Sequence, residues 1–78
     1  MPNQDIHPPT WVKPDGGVVA CTEKIMVLDE NYHELAQTLT DMIEDAVLMG
    51  CAEKQIRQAM HELIDAIEID IKESQVQP

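Results

Sequence analysis

Glu30 and His33 stand three residues apart, the spacing with which helix-bundle di-iron proteins turn a carboxylate and an imidazole towards a shared metal. A dimer of helical hairpins would supply the pair twice, with Glu53 or Glu62 as further carboxylates. Phase opposes this chemistry. At 100° per residue Glu30 falls about 160° from Tyr32, on the solvent side, and His33 lies at the edge of the apolar seam. Ligands turned outward do not share a buried ion, so neither metal nor cofactor is expected.

Cys21 and Cys51, together with His7, His33 and His61, form no Cys-x-x-Cys or His-x-x-x-His spacing that would suit zinc. On one long helix the two cysteines lie roughly 40 Å apart, beyond disulfide reach. They read as reduced thiols, and only in an antiparallel dimer would Cys21 approach Cys51 of the other chain. Cys51, at the expected start of a second helix, has one feature of a reactive thiol, but the surrounding acids push the other way and no histidine neighbours it. Asp41, Glu44 and Asp45 have no pocket-forming element beside them. Gly16-Gly17 follow Pro14-Asp15 in a turn and do not lead from a strand into a phosphate-binding helix. The chain is expected not to be an enzyme.

The elements that would position these groups are helical. Ile25, Leu28, Tyr32, Leu35, Leu39, Met42, Ala46 and Met49 alternate spacings of three and four, the mark of one helix with one apolar seam. No Gly or Pro interrupts residues 18 to 49. A helix over about 22–49 is therefore preferred, with Thr22 as its start; the alternative begins near Asp29 or Asn31, where Asn31-x-x-Glu34 imitates a capping box. Gly50 supplies the stop. A second stripe, Ile56, Ala59, Met60, Leu63, Ile67 and Ile71, predicts a helix over about 52–73. The short link makes the pair antiparallel.

Ahead of the helices, residues 1–10 read as a flexible arm with three of the five prolines. Residues 11–21 read as a short β-hairpin or extended segment turning at Pro14-Asp15-Gly16-Gly17, where proline presets φ and glycine accepts a positive one. Residues 74–78 read as a frayed tail. Trp11, Val18 and Val19 are the natural covers for Met26 and Val27, so the hairpin is expected to fold onto the first helix. Trp11, Val27, Leu48 and Ile69 lie off the seams and mark a secondary surface.

Seventy-eight residues bury little surface, and a fold this small usually needs a staple or a partner. One Trp, one Tyr and no Phe leave an aliphatic core suited to interlocked helices. Fifteen acids against five bases give a net charge of −10, which repels nucleic-acid phosphates and anionic membranes. No apolar run reaches the length of a membrane span, and the start lacks the basic and apolar regions of a signal peptide. A cytoplasmic location is expected.

The sequence thus predicts a mostly α fold: an N-terminal hairpin or arm, then an antiparallel helical hairpin that dimerises as a four-helix bundle. Its interface would comprise Ile25, Leu28, Tyr32, Leu35, Leu39 and Met42 with Ile56, Met60, Leu63 and Ile67. The expected function is a non-enzymatic interaction or regulatory module. It would act as a homodimer or as a small subunit of a larger complex, with a basic protein surface as a further partner. The competing readings are a small metal-binding or redox protein using Glu30, His33 and the cysteines, and an acidic mimic of nucleic acid.

Overall fold

The structure, a computed structural model, describes residues 6–73; the first half of the expected arm and the expected tail lie outside them. The described residues are mostly α, with two helices, α1 (Thr22–Leu48) and α2 (Glu53–Ala66), packed as a hairpin. The chain divides between Asp41 and Met42 into two compact units, so that α1 contributes to both.

In the first unit the turn forms as its residues dictate. Gly16 N–H donates to the Lys13 carbonyl at 2.9 Å and Lys13 N–H to the Gly17 carbonyl at 2.7 Å. Gly16 takes a φ of 90°, and Gly17 N–H donates to the Asp15 carboxylate at 2.8 Å. This is a turn closed by a glycine bulge. Pairing continues only through the antiparallel bridge Val12↔Val18 and the bond from Val19 N–H to the Trp11 carbonyl, 2.9 Å. No β-strand occurs among the described residues, and the expected hairpin reduces to a bridged turn. Two features stop the ladder. Pro8 and Pro9 offer no N–H just before Trp11, and Cys21 is already committed to opening α1.

At that opening the Cys21 carbonyl accepts the Ile25 N–H at 3.0 Å, which begins α1 at Thr22 with Glu23 in its first turn. The acid there complements the helix dipole. α1 is continuous across Asp29 to Asn31, so the shorter alternative does not form.

In the second unit α1 ends in a Schellman motif. Cys51 N–H reaches the Ala46 carbonyl at 2.9 Å and Gly50 N–H the Val47 carbonyl at 3.0 Å, with Gly50 at φ 99°. The pairing needs a left-handed residue at Gly50, and glycine adopts it without Cβ strain. Ala46, whose carbonyl closes this turn, is the single buried residue among those described, at 6% exposure. A methyl side chain lets the returning chain pass close by.

α2 is shorter than its stripe implies. It stops at Ala66, and Ile67 is extended (φ −69°, ψ 128°), so the expected helical span 67–73 is corrected. The cause is visible in Ile67-Glu68-Ile69-Asp70-Ile71-Lys72. Three β-branched residues give weak helix propensity. Their alternation with charges has period two, not 3.6. On a helical wheel Ile69 would fall opposite Ile67 and Ile71, leaving no single face to bury. Helix 2 is otherwise supported by the Arg57–Glu53 pair at 2.9 Å and a Gln58–Glu62 bond at 3.1 Å. Both are exposed and contribute a few tenths of a kcal/mol each.

Candidate interaction surface

The covered face of α1 is built from half-buried Ile25, Leu28, Asp29, Tyr32, Ala36 and Leu39 in the first unit. Half-buried Ile43 and buried Ala46 continue it in the second. Compared with the sequence seam, the covered line is rotated so that Ala36 and Ile43 replace Leu35 and Met42. Neither replacement stood out in the sequence, because each sits one residue along from a seam position and the two rows have equal apolar weight.

In the first unit Trp11 is seated on α1 at Asp29 and Tyr32. Its indole N–H donates to the Asp29 carboxylate at 2.7 Å, and its ring meets Tyr32 edge-on with centroids 6.0 Å apart. The N-terminal segment therefore does fold onto the first helix. It does so one to two turns further along than Met26 and Val27, both of which remain exposed. A hydrogen bond to a carboxylate stabilises by about 1.5–3 kcal/mol, with the lower end fitting this half-buried setting. No feature of spacing marked Asp29 as the partner.

The remaining interface candidates divide cleanly. Ile56 and Met60 of α2 are half-buried. Leu35 is 52% exposed, Met42 47%, and Leu63 and Ile67 60% each. Ile64, which the sequence stripe did not include, is exposed beside Leu63. Of the secondary-surface candidates, Trp11 is the anchor just described, while Val27, Leu48 (84% exposed) and Ile69 stand open. Along α1, Leu28, Leu35 and Met42 recur every seven residues, and Met49 continues the count just past the helix end. Of that row, Leu28 belongs to the covered face, while Leu35 and Met42 are exposed.

Glu30 and His33 are both exposed, with the His33 ring stacked beside Tyr32 at 6.3 Å. Among the described residues no three His, Cys, Asp or Glu side chains converge as a metal cage. No helix of the described residues is long and apolar enough to cross a membrane.

Both cysteines are free and exposed. Cys51 precedes Ala52, the N-cap of α2, and so lies outside the helix end where it was expected. The thiol at a helix N-terminus is Cys21. The nearby backbone N–H groups of Lys24, then Glu23, favour its thiolate and lower its pKa below the ordinary thiol value, with the Lys24 charge adding to the effect. In a Cys51→Ser background, alkylation of Cys21 by iodoacetamide should reach half its maximal rate at lower pH in the folded chain than in 8 M urea. Coincident profiles would mean that the helix-end N–H groups do not hold the thiolate in solution.

No protein-family model, curated protein or solved structure matches this chain.

Proposed function

We propose that this chain is a non-enzymatic protein–protein interaction module whose working form is a homodimer, two helical hairpins packed as a four-helix bundle. The observation that carries the reading is the small amount of surface the single chain covers. It exposes 7061 Å², where a compact monomer of 8.8 kDa exposes about 4,800 Å². Setting aside roughly 1,600 Å² for the ten terminal residues outside the description, and comparing the rest with a compact body of the remaining residues, about 4,300 Å², still leaves about 1,100 Å² per chain in excess. One partner's share of a stable interface is about 800 Å².

Exposed apolar side chains contribute part of that share: Leu35 and Met42 on α1, and Leu63 and Ile64 on α2. Isolated exposed aliphatics are ordinary; Leu35 and Met42 stand open one heptad apart, the spacing a partner helix covers. A net charge of −10 opposes self-association at low salt, so moderate salt favours the dimer by screening. It also suits a basic surface on a larger protein that the dimer would serve as a small subunit.

Light scattering across micromolar concentrations should report a concentration-dependent dimer. The exposure pattern separates two kinds of variant. Leu63→Asp, at an exposed position, should yield a monomer that keeps its helical circular dichroism. Leu39→Asp, at a half-buried position, should lose the helical signal itself, because an unpaired charge is placed under the fold. A monomeric native chain at every concentration would overturn the homodimer.

A further inference from the structure

Ile25, Leu28, Asp29 and Tyr32 stand at i, i+3, i+4 and i+7, the diamond of four residues that forms one hole for the knob of a facing helix. All four are half-buried, while Lys24, Met26, Val27, Glu30 and Asn31 around them are exposed. Trp11 meets two of the four corners. Its indole N–H donates to Asp29 at 2.7 Å, and its ring lies edge-on to Tyr32 at 6.0 Å. In the next diamond along the same unit, Tyr32, Leu35, Ala36 and Leu39, the corner at Leu35 is open, 52% exposed. The chain's own N-terminal segment thus sits where a coiled-coil partner would insert.

We propose that Trp11 restrains the homodimer by holding this hole, and that in the dimer α1 of a second copy takes its place, parallel and in register. The inference rests on the homodimer reading and names what limits it. Packed helices lie about 8–10 Å apart, which leaves no room for an indole over Tyr32. Charge selects the occupant and its direction. With Ile25, Leu28, Tyr32 and Leu35 on the seam, the positions flanking it are Asp29, Ala36 and Ile43 on one side and Lys24, Asn31, Thr38 and Asp45 on the other. A parallel pair brings each Lys24 across the seam to Asp29 of the second copy. The carboxylate that gives up the indole N–H gains an ammonium instead. Lys24 has no ion pair of its own among the described residues. The next pairs, Asn31 with Ala36 and Thr38 with Ile43, carry no charge, so the acids of the chain do not oppose this seam. In an antiparallel pair Asp29, Ala36 and Ile43 face their own kind, and Asp29 meets no cation.

The test follows the full chain by sedimentation across micromolar concentrations, with circular dichroism to report the helices. Trp11→Ala should tighten the dimer about tenfold or more, because neither copy then has to open before pairing. In that background Asp29→Lys should weaken the dimer, although it removes negative charge and relieves general repulsion. Adding Lys24→Glu should restore the affinity. In the native chain the single indole N–H, followed by its NMR resonance, should lose its bond to Asp29 as the dimer forms. That readout decides the matter even if Trp11→Ala loses its helical signal. A native dimer that keeps the indole on Asp29, or a folded Trp11→Ala chain that dimerises no more tightly than the native one, overturns the restraint and leaves the homodimer standing. An Asp29→Lys chain that dimerises more tightly overturns the parallel seam. A chain that stays monomeric with and without Trp11 overturns the restraint together with the homodimer.

Discussion

Replacing Ala46 with aspartate is expected to release α2 from α1 and abolish cooperative unfolding of the second unit. Ala46 is the one buried residue among those described, and its carbonyl accepts the Cys51 N–H that closes the interhelical turn. A carboxylate there has no partner, and an uncompensated buried charge costs several kcal/mol. A chain of 78 residues has about 4–12 kcal/mol of total stability, and one with so little burial belongs at the lower end. Hydrogen exchange should therefore show lost protection across residues 53–66. Ala46→Leu tests the same point without charge: overpacking should cost about 1–3 kcal/mol. Ala46→Ser should be tolerated best. If Ala46→Asp melts with the native transition, the close approach at the Schellman turn does not hold the hairpin together.

Removing the Trp11 side chain is expected to free the bridged turn from α1 while leaving the helix in place. Trp11→Ala deletes both the ring contact with Tyr32 and the bond to Asp29. Full burial would make the loss about 3–5 kcal/mol; at half burial about 2 kcal/mol is expected. Amides of Lys13 and Val19, which close the turn, should then exchange at the rates of an open chain. The effect divides by chemistry. Trp11→Phe keeps an aromatic edge for Tyr32 and drops only the indole donor, at about 1 kcal/mol. Asp29→Ala leaves the sole tryptophan as its own reporter, and its emission should shift to the red as the indole gains water. Unchanged emission in Asp29→Ala would show that the ring contact alone seats the segment.

Both experiments bear on the proposed interaction surface, because they probe what the chain covers for itself. Leu28 and Leu39 are half-covered, whereas Leu35 and Met42 on the same helix are open.

The boundaries of α1 and the turn at Pro14–Gly17 were legible in the sequence because both are local. A continuous three-and-four spacing without Gly or Pro makes one long helix. Gly50 and Gly16 sit where only a positive φ completes the hydrogen bonds, and those bonds span six residues or fewer. The end of α2 was also written there, in the period-two run of isoleucines, but the helical spacing of Ile67 and Ile71 masked it. Isoleucines four apart satisfy both periods at once, and only Ile69 between them distinguishes the two.

The tertiary structure alone decided which apolar row of α1 is covered, that Trp11 seats on Asp29 and Tyr32, and that Ala46 is the residue most enclosed. Leu35 and Ala36, or Met42 and Ile43, are equivalent to any count of apolar spacing. The choice between them depends on where Trp11 and α2 arrive, and those arrive from tens of residues away in the chain. Burial is a property of pairs of surfaces, whereas periodicity records one surface at a time.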